Sequence, residues 1–230
     1  MIKKFLLLGV ISLFTVLTSC SSDDDKTKTL TIDEQNAADD ASIVNFLDNY
    51  YFDDLGKVTK FTETVTSKDK DPLRKNAKKD ASGFWYVPNP AVTSASGTKP
   101  NGSNNILLHY TLNYYVASEG GNGYSSQTTA SSSIDGLGIA QQNPSFYKKP
   151  STDTTNVESY YVIKGIVDGL KYFSPTNKSK NDPYDVLQGV IIVPSRLAYA
   201  RNSNYMSLSN ATFVLNFELY KVCAEGVTCE

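Results

Sequence analysis

YYVIKGIVDGLKYF, residues Tyr160 to Phe173, is the stretch whose reading decides the fold. Tyr160, Tyr161, Val162 and Ile163 form an apolar run of strand-favouring side chains. After Lys164 and Gly165, apolar residues recur at Ile166, Leu170 and Phe173, the spacing of one helix face. The stretch therefore predicts a strand or loop edge that turns sharply into a single helix of about two turns.

The neighbouring segments read as strands. Downstream, Gly189 to Val193 is a continuous apolar run, a buried strand, and Pro194 to Ala200 is a loop that carries Tyr199. Phe213, Leu215, Phe217 and Leu219 then alternate with Thr212, Val214, Asn216 and Glu218, a long strand with one fully apolar face. Upstream, Ile106 to Tyr115 alternates with Leu108, Tyr110 and Leu112 on one face and Leu107, His109 and Thr111 on the other, a half-buried strand. Between these, Gly120 to Gln142 is rich in Gly, Ser and Thr and has no strong period, and Phe146 and Tyr147 are expected to begin another strand. Several strands and one short helix make an α+β domain, an antiparallel sheet wrapped around that helix.

The N-terminal half adds an extension. Ile43, Phe46, Leu47 and Tyr50 recur at spacings of three and four within Asp33 to Phe52, an amphipathic helix of about three turns with Asp39 or Asp40 as its expected cap. Thr59 to Val65 reads as a strand. Ser67 to Asp80 is dense in Lys and Asp and reads as a solvated loop, with a basic docking patch as the alternative. Phe84, Trp85, Tyr86 and Val87 form a short aromatic strand ended by Pro88 and Pro90, with the only tryptophan at the edge of the core.

The first residues carry an address. Lys3 and Lys4 precede an apolar run from Phe5 to Leu17, and Leu17-Thr18-Ser19-Cys20 has the form of a bacterial lipobox, which makes Cys20 the acylated first residue of the mature chain. The run is too short for a comfortable membrane span, so the membrane is reached through lipid on Cys20. The acidic run Asp23-Asp24-Asp25 lies in a polar tether and resembles an export signal of outer-membrane lipoproteins, although a solvated linker reads equally well. The formal net charge of −2 offers no basic face for nucleic acid. With Cys20 committed to lipid, Cys223 and Cys229 are expected to form a disulfide in the oxidising envelope. The expected division is residues 1–19 signal peptide, 20–32 tether, 33–83 helical extension and loop, 84–222 main domain with an insertion at about 116–159, and 223–230 tail.

Several chemistries have little to build on. One histidine, His109, leaves no material for a Ser-His-Asp triad or a His-rich metal site, and it falls on the strand face opposite Tyr110. Gly120-Gly121-Asn122-Gly123 lacks the Lys and Ser/Thr of a phosphate loop. No metal or cofactor is expected.

Four motifs in order resemble the FKBP-type peptidyl-prolyl isomerases. They are His109-Tyr110-Thr111; Val162-Ile163-Lys164-Gly165 with Gly169-Leu170; Val193-Pro194-Ser195 with Ala198-Tyr199; and Ala211-Thr212-Phe213-Val214 with Glu218-Leu219. The resemblance covers about Ile106 to Val222, with the long stretch between Tyr115 and Tyr160 as an insertion in the flap region. It implies an apolar pocket for proline lined by Tyr110, Val162, Ile163, Ile166, Tyr199 and Leu215. The Ile163 backbone N–H and the Tyr199 hydroxyl would hold substrate carbonyls. The reaction is rotation of a prolyl amide over a barrier of roughly 18–20 kcal/mol, which an apolar pocket and fixed donors lower without acid, base or metal. Ile166 stands where the family has tryptophan and Leu215 where it has an aromatic. The nearest counterparts of the family's Phe-Asp pair are Tyr124-Ser125 and Ile134-Asp135. The resemblance therefore implies a lipid-anchored prolyl isomerase of the outer membrane acting on prolyl-containing polypeptide. The alternatives are an FKBP-like protein that binds peptide without turnover, and a surface module that binds glycan through the tyrosine-rich insertion from Tyr114 to Tyr161.

Overall fold

A computed structural model of the chain describes residues 29–118, 123–134 and 138–230. Cys20, Lys3, Lys4, the Asp23 to Asp25 run and Asp135 lie outside the described residues. Chain order is helix α1 (Ile32–Asn49), strands β1 (Tyr50–Phe52), β2 (Val58–Lys60), β3 (Lys78–Lys79), β4 (Trp85–Pro88), β5 (Asn105–Val116), β6 (Thr128–Ser132) and β7 (Gln141–Gln142), helix α2 (Lys164–Leu170), then β8 (Gly189–Val193) and β9 (Ala211–Cys223). β1 and β2 form a small hairpin, and the rest make one antiparallel sheet in the order β3-β4-β8-β9-β5-β6, with β7 beside β5 beyond the end of β6. The expected α+β architecture is present: an antiparallel sheet against one short helix and an N-terminal helical extension, with β6 and β7 supplied by the long segment that follows β5.

The sheet is covered on both faces. Helix α2 lies on one of them, where Ile166 and Leu170 pack with Ile191, Val193, Phe213, Leu215 and Phe217. Helix α1 covers the other, where Ile43, Phe46 and Leu47 pack with Val190, Ile192, Val214, Val87 and Tyr115. Alternation along the central strands sorts these two sets, since successive side chains of a strand point to opposite faces. The expectation that β5 is half-buried is corrected for the same reason: Leu107, His109 and Tyr115, on the face turned from α2, are buried against Tyr220, Ala140 or the α1 layer. Strand β9 is likewise buried on both faces as far as Tyr220.

Two glycines set the height of α2 above the sheet. A Cβ at Gly165 would sit 2.4 Å from Val193 Cγ1, and one at Gly169 would sit 2.7 Å from Ile191 Cγ2. Spaced four apart they share one helix face, so the backbone itself rests on β8.

Other boundaries differ from expectation. Thr31 caps α1, with its hydroxyl accepting from the Glu34 N–H and the Glu34 carboxylate accepting from the Thr31 N–H. Asp39 and Asp40 sit mid-helix and do other work. Helix α1 stops at Asn49 because Tyr50 to Phe52 pair with β2, and β2, Val58–Lys60, takes in only Thr59 and Lys60 of the expected Thr59 to Val65 strand. Phe146 and Tyr147 occupy a turn closed by the Tyr147 N–H on the Pro144 carbonyl, and the strand of this region is β7 instead. The run before α2 is a 3-10 turn at Glu158–Tyr160. Leu73 anchors the Lys-rich loop to the α1 side of the core, while Lys70, Lys75 and Lys79 each pair with an aspartate. Cys223 and Cys229 are joined by a disulfide.

Candidate functional site

The cleft on the α2 side of the sheet is built mainly from two strands and two loops. Strand β5 supplies Tyr110 and Tyr114, β6 supplies Thr129, Ala130 and Ser131, and two loops supply Phe146 and the run Tyr205, Met206 and Leu208. They enclose about 440 Å³, and no charged side chain lines the space.

Each wall has a local cause. Tyr110 is buried, and its hydroxyl donates to Gln141 Oε1 at 2.7 Å and lies 2.9 Å from Ser131 Oγ, so the insertion satisfies the polar end of an otherwise apolar ring. Burial raises its pKa, which keeps the hydroxyl protonated. Phe146 meets the Tyr110 ring edge-on at 4.9 Å. The second loop is shaped by one buried side chain. Asn204 Oδ1 accepts from the N–H groups of Met206 and Leu208 at 3.1 and 3.2 Å, and its Nδ2 donates to the Leu208 carbonyl at 2.7 Å. That arrangement turns Tyr205 inward, where its ring lies 5.1 Å from Tyr161 and 6.3 Å from Tyr199.

The residues expected to line a proline pocket are only partly brought together. Tyr110 faces the cleft. Ile163, Ile166 and Leu215 have no exposed surface and lie inside the α2 core with Phe146, Phe213 and Tyr199. Val162 points elsewhere, into a separate groove beside α2 with Val157, Val167 and Lys171. The Ile163 N–H donates to the Phe146 carbonyl at 2.8 Å, and the Tyr199 hydroxyl donates to the Tyr161 carbonyl. Both expected substrate donors are therefore spent on the chain's own backbone, because each is buried and a buried donor must find an acceptor. Burial, followed by the nearby Tyr205, also pushes the Tyr199 pKa strongly upward.

The first counterpart of the Phe-Asp pair does not stand at the cleft. Tyr124 packs on the opposite side of the sheet, 4.6 Å from Tyr115 and 6.1 Å from Phe46, and Asp135 lies outside the described residues. His109 is buried away from the cleft, stacked on Tyr220 at 5.6 Å; burial and then Lys178 lower its pKa. Among the described residues there is no cluster able to hold a metal ion, and no helix long and apolar enough to cross a membrane. As cleft residues, Tyr205, Met206, Leu208 and Phe146, the last read only as the start of a strand, carry no periodic signal in the sequence because they lie in loops. The only available signal was an aromatic and a methionine among the small polar residues of Asn202 to Asn210.

With this geometry in hand, comparison with known proteins gives a one-sided result. No protein-family model matches the sequence, and no curated protein matches it. Solved structures do. The likeness is to FKBP-type peptidyl-prolyl isomerases. FkpA from Escherichia coli aligns with a TM-score of 0.39 and 20% identity, covering 66% of this chain and 53% of that one. A peptidyl-prolyl cis-trans isomerase from Pseudomonas syringae aligns with a TM-score of 0.45 and 13% identity, covering 85% of this chain and 98% of that one. The N-terminal domain of FKBP42 from Arabidopsis thaliana gives 0.38 and 14%, covering 64% of this chain and 91% of that domain. The chain thus spans 53% of the FkpA structure that it matches.

Proposed function

We propose that this chain is a lipid-anchored protein of the bacterial envelope that binds uncharged, prolyl-containing segments of other polypeptides in the cleft between Tyr110 and Tyr205, with little or no turnover. The observation that carries this reading is the internal use of the two donors. An isomerase of this type needs fixed donors to hold the flanking carbonyls while the amide twists, and here the Ile163 N–H and the Tyr199 hydroxyl are engaged by Phe146 and Tyr161. What is left is an uncharged surface in which Tyr110, Phe146, Tyr205 and Met206 stand beside polar Ser131, Gln141 and Ser145, suited to proline and other uncharged side chains and adaptable through Met206. The ordered motifs from His109 to Leu219 support descent from a prolyl-binding domain. The anchoring rests on the basic-apolar-small order of Lys3 to Cys20.

Isomerisation is the second reading, favoured by Tyr110 standing in the cleft wall with its hydroxyl fixed. It requires the Phe146 and Tyr161 carbonyls to release their donors when substrate enters. A glycan platform draws less support, since Tyr115 and Tyr147 of the insertion are buried and Tyr124 packs on Tyr115.

The deciding experiment pairs binding with exchange. The full chain in detergent is titrated with an X-Pro test peptide by fluorescence anisotropy, and the cis/trans exchange rate of the same peptide is followed. Saturable binding with exchange within about twofold of the uncatalysed rate is expected. Acceleration beyond about tenfold that Tyr199→Phe abolishes would replace this reading with the enzymatic one, and absence of binding would remove both. Cys20→Ser is expected to move the protein from the membrane to the soluble fraction.

A further inference from the structure

The two outer edges of the main sheet are treated in opposite ways. One edge is β3, two residues long and made of Lys78 and Lys79, which is how natural sheets keep other strands away. The other is β6, Thr128-Thr129-Ala130-Ser131-Ser132, five residues with no charge and no proline. Among the described residues, β6 pairs with β5 on its inner side, and along Thr128 to Ser131 no strand pairs with its outer side. It is exposed to half-exposed along its length, and Thr129, Ala130 and Ser131 also form one wall of the cleft. A register shift between Leu112 and Asn113 of β5 leaves Ala130 without a partner opposite, a bulge that bends β6 at the cleft.

We infer that the polypeptide bound in the cleft adds to β6 as a further antiparallel or parallel strand, so that recognition is by backbone hydrogen bonds at the β6 edge and by alternate side chains dropping into the cleft. The inference rests on the peptide-binding reading of the cleft. An added strand gives affinity through its main chain and specificity through every second side chain. The side chains that enter meet Tyr110, Phe146, Tyr205, Met206 and Leu208 beside the uncharged polar Ser131, Gln141 and Ser145, and no charged side chain of the lining would form an ion pair. A buried unpaired charge is costly, so the occupant is an extended, uncharged segment with apolar residues at alternate positions. It differs from a lone prolyl side chain in a closed pocket because the backbone on both sides of the proline is engaged as well.

The probe is an uncharged nine-residue peptide with Leu or Phe at every second position, Thr between them and one central Pro. It is compared with two N-methylated forms, one methylated on the Leu and Phe amides and the other on the Thr amides. In an added strand only one of these sets faces β6. Binding to the full chain in detergent is read by anisotropy, and amide hydrogen exchange is read over Thr128 to Ser131. The expected result is slowed exchange in β6 with the parent peptide. One methylated form should lose at least about tenfold in affinity while the other stays within about twofold, as expected when strand hydrogen bonds are lost on one side only. If the parent binds and both methylated forms bind equally well, with β6 exchange unchanged, strand addition is wrong and the cleft reading survives. If the parent does not bind, both fall. If β6 is protected without peptide in a concentration-dependent dimer, the edge belongs to a second copy of this chain and the inference is overturned.

Discussion

Tyr199 shows how much a single hydroxyl can decide. By motif the position resembles the substrate-holding tyrosine of FKBP-type isomerases, yet the hydroxyl is buried and donates to the Tyr161 carbonyl of its own chain. Its role in this conformation is to tie the loop after β8 to the segment that precedes α2. Tyr199→Phe leaves that carbonyl without its partner, and a lost buried hydrogen bond of this kind costs about 1 kcal/mol. The expected outcome is a lower urea midpoint for Tyr199→Phe with peptide affinity nearly unchanged; a large loss of affinity at unchanged stability would place the hydroxyl on the ligand instead. Asn204 makes the complementary point. Four hydrogen bonds from one buried amide hold the loop that presents Tyr205 and Met206, and that role is invisible until the loop is seen closed on itself.

At the scale of elements, α2 rests directly on β8. The motif glycines are explained by proximity alone: Gly165 and Gly169 approach the Val193 and Ile191 side chains too closely for a methyl group. Gly165→Ala gains about 1 kcal/mol of helix propensity but must displace the β-branched Val193, and overpacking of this kind costs about 1–3 kcal/mol. A net loss of stability is expected, measured as a lower midpoint of chemical denaturation, and partly restored by adding Val193→Ala. A gain in the single variant would mean that the helix can lift from β8 without cost. Helix α1 is bound differently, by an apolar stripe and by a buried carboxylate. Asp39 accepts from the Ser195 N–H at 2.8 Å, the Ser195 hydroxyl at 2.5 Å and Gln35 at 2.8 Å, while Asp40 pairs with Arg196 at 2.8 Å. The N-terminal helix is thereby fastened to the same loop that carries Tyr199.

Across the whole molecule, covering the sheet on both faces places carboxylates where water does not reach. Burial raises the pKa of Asp39, opposed by its bonds from Ser195 and Gln35, and burial likewise raises that of Glu218, opposed by Thr176 and Lys178. A carboxyl whose folded pKa lies above its unfolded value stabilises the fold most below that unfolded value, about 4, and this contribution fades as pH rises through the folded value. Urea midpoints of the wild type are therefore expected to gain from Asp39 as pH is lowered through its raised folded value toward about 4, and Asp39→Asn is expected to flatten that part of the curve. An unchanged pH slope in Asp39→Asn would show that the carboxylate is as well accommodated inside as in water.

What the sequence determined by itself is the part written in periods and glycines. Alternation in Ile106 to Tyr115 and Thr212 to Leu219, the apolar run Gly189 to Val193, the recurrence of Ile166, Leu170 and Phe173 and that of Ile43, Phe46, Leu47 and Tyr50 placed the strands, the short helix and the stripe of α1, because burial acts on every residue of such an element and leaves a regular trace. The two-sided covering of β5 and β9, the cap at Thr31 and the cleft itself were decided by tertiary structure. Partners far apart in sequence, such as Asp39 with Ser195, Ile163 with Phe146 and Tyr110 with Gln141, meet only when the chain has folded. A motif preserves the type of a donor, but its availability depends on which distant acceptor reaches it first.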